Sequence, residues 1–236
     1  MKQFDPTFRF KQFAVSDRRC GMKVGTDGVL LGAWAQAPVT TDKLQILDVG
    51  TGCGVIALMM AQRYADARIT AVEVNHEAIA DASDNIAASP WAHRISIVDS
   101  DFRDIEGSFD LIVSNPPFFV NGESAPDSSR AIARHATGLS PLTLIQWGVE
   151  HLNENGKLAL IAPVELSDDI AVQAVFSRMT IVRRVDVITS KRRGIARTLW
   201  EFSPAASGPT STYEKGLLEV NSPEYIEITR DFYLHF

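Results

Sequence analysis

One local pattern constrains this chain more than any other. The apolar run Leu44-Gln45-Ile46-Leu47-Asp48-Val49 turns on Gly50-Thr51-Gly52-Cys53-Gly54 and continues as the helical stretch Val55–Tyr64. A short apolar run that turns on glycine into a helix opens a β–α unit whose strand is covered on both faces. The alternation then repeats. Strands are expected at 68–74, 94–100, 109–115 and 157–163, and helices at 76–89, stopped by Pro90, and at 142–152, closed by Asn155-Gly156. Strands alternating with helices predict an α/β fold with a mostly parallel sheet and helices on both faces. Residues 181–202, rich in β-branched side chains, read as two closing strands in an antiparallel hairpin, and 203–212 as a loop. Near the start, FRFKQFAV (8–15) alternates like one short strand, and 29–37 reads as a helix ending before Pro38. No repeat or linker divides the 236 residues. One domain is expected over 1–236, with an extension at 1–40 capping the site and a core at 41–236.

In an open α/β sheet, ligands bind outside the carboxyl ends of the strands, where strand order reverses. The loops there hold the informative residues. Gly50, Gly52 and Gly54 allow close backbone approach, and the following helix offers unpaired N–H groups. Glu73, with Val74 beside it, closes the second strand where an acid can accept from ribose hydroxyls. The spacing is Gly-x-Gly-x-Gly rather than the Gly-x-Gly-x-x-Gly of pyrophosphate sites. Asp48, before the loop, can face a cationic amino acid end. Both points favour S-adenosylmethionine over NAD. Asp101 can accept from an adenine amino group, while Phe102 can contact the ring or lend its backbone N–H. The expected cofactor set is Asp48, Gly50, Thr51, Gly52, Cys53, Gly54, Glu73, Val74, Asp101, Phe102 and Asn115, with Cys53 a packing residue rather than a nucleophile.

Ser114-Asn115-Pro116-Pro117-Phe118-Phe119 follows the fourth strand. Two prolines fix φ and remove two N–H donors, so the loop is stiff and its carbonyls can point outward. An aromatic amino group is a poor nucleophile, because its lone pair is delocalised into the ring. Hydrogen bonds to Asn115 Oδ1 and the Pro116 carbonyl would draw the nitrogen toward tetrahedral geometry and aim that lone pair for in-line displacement. Phe118, and with it Phe119, would stack on a planar target flipped into the pocket.

The net charge of −6 argues against nonspecific nucleic-acid binding by the whole surface. The charge is uneven, however. Seven basic residues between Arg178 and Arg197 face one acid, and Arg18, Arg19 and Lys23 lie near the start. An acidic chain with two basic segments fits a polyanion met on one face. Lys191, Arg192 and Arg193, in the turn of the hairpin, are the strongest phosphate-binding candidates. Two cysteines far apart in the sequence argue against a disulfide framework or a structural metal. No apolar run reaches the roughly 18 residues that span a bilayer, and MKQFDPTFRF lacks a signal pattern, so a cytoplasmic location is expected.

LDVGTGCG, Glu73, Asp101-Phe102 and NPPF together resemble the amino-methyltransferase branch of the Rossmann-like class I methyltransferases. The N-terminal FRFKQFAVSDRRCGMKVGTDGVLLGAWA, with NPPFF, RAIARHATGLS and KRRGIARTLWEF, is similar to the bacterial tRNA adenine-N6 methyltransferases acting at position 37 of valine tRNA. That resemblance implies S-adenosylmethionine as cofactor, tRNA as partner, no metal and no obligate protein partner. It implies that Asn115, Pro116, Pro117 and Phe118 hold the base and that Lys23, Thr26 and Asp27 line the crevice. Thr26-Asp27 is equally readable as a helix N-cap. The alternatives are a guanine-N2 methyltransferase of ribosomal RNA, a methyltransferase of protein glutamine, a non-catalytic cofactor-binding module, and an NAD-dependent oxidoreductase. The last is disfavoured by the glycine spacing.

Overall fold

A computed structural model describes residues 7–39, 43–117, 138–190, 192, 194–205 and 213–235. The elements are β1 (Thr7–Arg9), β2 (Ala14–Ser16), α1 (Thr26–Trp34), β3 (Gln45–Val49), α2 (Val55–Arg63), β4 (Arg68–Glu73), α3 (His76–Ala87), β5 (Ile95–Asp99), β6 (Phe109–Ser114), α4 (Pro141–His151), β7 (Leu152–Pro163), α5 (Ser167–Phe176), β8 (Met179–Ser190), β9 (Gly194–Pro204), β10 (Glu214–Glu219) and α6 (Pro223–Thr229). Among the described residues, eight strands form one sheet in the order β10-β8-β9-β7-β6-β3-β4-β5, while β1 and β2 form a separate hairpin. β9 is antiparallel to both of its neighbours, and the other pairings are parallel. The mostly parallel α/β sheet with a late antiparallel hairpin is the expected architecture.

The chain leaves β3 outward through β4 and β5, then returns to place β6 on the other side of β3. Strand order therefore reverses between β3 and β6. β3 is apolar on both faces because helices cover both. One layer packs Ile46, Ile69 and Leu111 against α1, α2 and α3, and the other packs Leu47, Ile112 and Leu158 against α4 and α5.

Three differences from the expected elements have physical causes. The alternating segment 8–15 is a hairpin rather than one strand. Phe10 N–H closes its turn on the Phe13 carbonyl (2.9 Å), and the two rings stack at 4.4 Å. α4 ends at His151 and β7 begins at Leu152, so Asn155-Gly156 lies inside the strand instead of closing the helix. The ladder with β6 slips there, and a β-carbon on Gly156 would stand 2.7 Å from the Phe109 carbonyl oxygen. The first helix begins at Thr26 and ends at Trp34, three residues early at both ends.

α1 is anchored tightly to the core. Gly32 lets it approach α2 so closely that a β-carbon would meet Met59 Sδ at 2.7 Å. At its C-terminus, Arg63 Nη1 donates to the Gly32 carbonyl (2.8 Å), and Arg183 Nη2 donates to the Trp34 carbonyl (3.0 Å). The Arg183 guanidinium also lies 3.9 Å over the Trp34 ring. Buried Glu201 accepts from Arg183 (2.8 Å) and Lys157 (2.7 Å), joining β7, β8 and β9 beneath α1.

Candidate functional site

The glycine loop adopts a conformation that a β-carbon would strain. Gly50, Gly52 and Gly54 have φ of +68°, +58° and +85°. The N–H groups of Gly50 and Thr51 donate to the Val72 carbonyl, which pins the loop to the end of β4. Asp48 is fully buried. Its Oδ2 accepts from Thr51 Oγ1 (2.6 Å) and Ala57 N–H (3.0 Å), while Oδ1 has no partner. Burial, aided by the nearby Glu73 charge, pushes the Asp48 carboxyl up to about 7.

Glu73 gathers the same region. It accepts from Gly52 N–H (3.0 Å), Val74 N–H (3.0 Å) and Asn75 N–H (3.1 Å). Two oxygens with four acceptor positions thus retain one. Asp101 accepts from Arg103 through its backbone N–H (2.9 Å), Nε (2.8 Å) and Nη2 (2.6 Å), and this pairing holds its carboxyl below the ordinary range. The Phe102 ring is buried edge-on against Trp147 at 5.4 Å, within the apolar layer covered by α4.

The end of β6 is tied to the end of β3, because Ser114 Oγ donates to the Val49 carbonyl (2.8 Å). Asn115 comes next. Its Oδ1 is buried without a partner, and its Nδ2 donates to Met22 Sδ at 3.8 Å. Pro116 is buried and Pro117 half-buried, whereas Phe118 and Phe119 lie outside the described residues. A β-carbon on Gly28 would stand 3.7 Å from Val55 Cγ1 and 3.8 Å from Asn115 Nδ2. α1 thus bridges the helix after the glycine loop and the Asn-Pro-Pro loop.

The N-terminal segment reaches the site by clasping α3. Asn85 exchanges hydrogen bonds with Ser16 N–H and carbonyl (both 2.8 Å) and donates to the Cys53 carbonyl (2.9 Å). Asp81, also buried, accepts from the N–H groups of Arg19 (2.7 Å) and Cys20 (2.9 Å) and from Arg19 Nε (2.8 Å). Cys20 and Cys53, 33 positions apart in the chain, are buried free thiols close enough to perturb each other, which lowers the pKa of Cys20 and raises that of Cys53.

The other expected substrate contacts divide. Gly25, not Thr26 or Asp27, is the N-cap of α1, and it makes no side-chain cap. Asp27 instead accepts from Arg197 Nε (2.8 Å) across to β9. Lys23 Nζ turns back onto the Asp17 and Arg18 carbonyls. Arg192 is exposed in the β8–β9 turn, while Lys191 and Arg193 lie outside the described residues, as do 120–137, including His135. Met22, Gly28, Asp81 and Asn85 were not singled out from the sequence. The segment similar to tRNA methyltransferases contains Met22 and Gly28, but nothing local marked their contacts.

Fit to S-adenosylmethionine rests on groups left unsatisfied. Asp48 Oδ1 is a buried acceptor without a partner, Glu73 keeps one acceptor position, and the glycine backbone is open to close approach. Among the described residues no group of metal-binding side chains occurs.

Residues 29–188 match the family model of the methyltransferase small domain. A relative from Bacteroides thetaiotaomicron, named tRNA1(Val) (adenine(37)-N6)-methyltransferase, is 41% identical over 98% of both chains. One of the same name from Aeromonas hydrophila is 41% identical over 96% of this chain and 97% of its own. The solved structure of a predicted O-methyltransferase from Agrobacterium tumefaciens shares the fold with a TM-score of 0.61, covering 87% of this chain and 96% of its own at 18% identity. The chain belongs to the methyltransferase small-domain family, in the full-length group whose curated members carry that tRNA methyltransferase name.

Proposed function

We propose that this chain methylates N6 of adenine 37 in tRNA1(Val), next to the anticodon. One observation carries the reading: Asn115 Oδ1 is a buried, unpaired acceptor at the carboxyl end of β6, bridged by α1 to the cofactor loop. A buried acceptor without a partner costs about 1–3 kcal/mol, so the site favours a ligand that brings a donor. The relatives' name supplies the adenine amino group as that donor.

S-adenosylmethionine supplies an electrophilic methyl group to the site. The glycine loop, Asp48, Glu73 and the backbone at Asp101-Phe102 are the groups of this chain that would hold it. Asn115 Oδ1 and the Pro116 carbonyl accept the two amino hydrogens, which directs the nitrogen lone pair outward. Pro116 and Pro117 keep those acceptors from relaxing when the substrate is absent. No strong base is needed, because the proton leaves a nitrogen that has already become cationic. Phe118 and Phe119 are assigned to stacking on the base, and Lys191, Arg192 and Arg193 to its flanking phosphates. The extension at 1–40 caps the site, supported by the Asn115–Met22 hydrogen bond and by the close approach of α1 to Asn115 at Gly28. A tRNA substrate implies the cytoplasm, and among the described residues no helix is long and apolar enough to cross a membrane.

Labelled S-adenosylmethionine incubated with total tRNA, followed by nucleoside analysis, tests the reading. N6-methyladenosine is expected, and Asn115→Ala should lower the rate by about 10²–10³-fold with cofactor binding retained, as for loss of one transition-state contact. Label on guanosine or on protein would overturn it.

A further inference from the structure

Asn115 can serve an amino substrate only if its amide presents oxygen, not nitrogen, to the incoming group. The two orientations differ by a half-turn of the amide, and the hydrogen-bond partners of its two ends decide between them. We infer that Met22 makes the choice: its thioether accepts from Asn115 Nδ2 and leaves Oδ1 as the acceptor for the substrate amino group. Met22 is then a positioning residue for the proposed reaction, and the inference rests on that reading.

The geometry is specific. Nδ2 lies 3.8 Å from Met22 Sδ, within range of an N–H···S hydrogen bond, and Oδ1 is buried with no partner. Sulfur in a thioether is a weak acceptor and never a donor. With the amide reversed, Oδ1 would face sulfur lone pairs and two N–H groups would be buried without acceptors.

Met22 is held where this contact needs it. Ser16, Arg19 and Cys20 are fastened to Asn85 and Asp81 of α3. On the far side, Asp17 Oδ2 accepts from Val24 N–H (2.8 Å), closing a turn with Met22 in its span. Met22 is nonetheless 46% exposed, which is high for a methionine held only by packing. A braced loop that leaves a methionine largely exposed, with sulfur against the catalytic amide, fits positioning better than core filling.

The test uses full-length Met22→Leu, which keeps the volume and removes the acceptor, and Met22→Gln, which restores an acceptor at similar reach. Met22→Leu should lower kcat for tRNA methylation about two- to fivefold, the range of a weak hydrogen bond, with the tRNA KM and cofactor affinity unchanged. Met22→Gln should recover most of that loss. The side-chain amide resonances of Asn115, assigned by their absence in Asn115→Ala, should shift in Met22→Leu. Unchanged amide resonances or wild-type kcat in Met22→Leu would overturn the inference, as would a defect confined to the tRNA KM, which would make Met22 an RNA contact. The resonances require no methyl transfer, so failure of wild-type protein to methylate tRNA would sink the functional reading and leave the amide result standing.

Discussion

At the scale of single residues, Asp48 combines a structural and a ligand-facing task that pull its ionisation in opposite directions. One oxygen organises the start of α2 through Thr51 and Ala57, and the other has no partner. Burial raises its carboxyl from the ordinary 3.8 to about 7. A raised acid is protonated in the folded state and ionised in the unfolded chain between those values. Its contribution to stability is therefore full below about pH 4 and lost as pH rises through about 7. A cationic amino acid group beside Asp48 would favour the anion, so cofactor binding below about pH 7 should release a proton. Cofactor affinity is then expected to fall as the medium is acidified below 7, by at most about tenfold per pH unit. Asp48→Asn should flatten that profile while keeping an acceptor for Thr51. Titration calorimetry in two buffers of different ionisation enthalpy reads the proton directly. A binding enthalpy independent of buffer at pH 6 would show that Asp48 does not meet the cofactor's charge.

Among the elements, the N-terminal extension is the least readable from sequence and the most consequential for the site. The β–α units from β3 to β6 were legible because buried parallel strands are continuous apolar runs and their turns require glycine at positive φ. Asn115 and the two prolines were legible for a related reason: a polar residue and rigid backbone at a strand's carboxyl end have little structural purpose. The period-2 pattern at 8–15 misled, since a hairpin that folds back on stacked phenylalanines preserves the same alternation. α5 was not anticipated, because exposed Val172, Val175 and Phe176 blur its apolar stripe. β10, EKGLLE, shows no alternation; it pairs along the sheet edge and buries only Leu218 of its side chains in the core. Asp81 and Asn85 looked like ordinary polar positions of an amphipathic helix, and their partners in the N-terminal segment lie more than 60 residues away. Asn85 is the sharper test of that clasp. Asn85→Ala strands the Ser16 N–H and the Cys53 carbonyl, so it should cost about 1–3 kcal/mol in urea unfolding. It should also loosen residues 7–24 to proteases before global unfolding. A clasp that is only incidental would leave the cleavage pattern unchanged.

For the molecule as a whole, sheet direction decides which groups share an edge with the site. β8 runs with β7 because each is antiparallel to β9, so the β8–β9 turn emerges on the same side as the ends of β3, β4 and β6. Arg197, opposite Pro163 at the end of β7, lies on that edge too and is paired with Asp27 of α1. Arg192, exposed in that turn, therefore stands on the same sheet edge as the crevice in a chain of net charge −6. Arg19 and Lys23 near the start are already engaged, Arg19 by Asp81 and Asp84 and Lys23 by backbone carbonyls. The net negative charge of the remainder would repel a polyanion elsewhere, which concentrates its approach on this turn. Replacing Lys191, Arg192 and Arg193 together by alanine should weaken tRNA binding and lower the slope of log affinity against log salt by about two, since each phosphate contact on a single strand contributes roughly 0.7. Cofactor affinity should not change, because β7 and β6 stand between β8–β9 and the strand that opens the glycine loop. Fluorescence anisotropy of labelled tRNA across a salt series measures the slope. If slope and affinity both stay at wild-type values, the polyanion docks on another face, and the shared direction of β7 and β8 has no bearing on how tRNA is held.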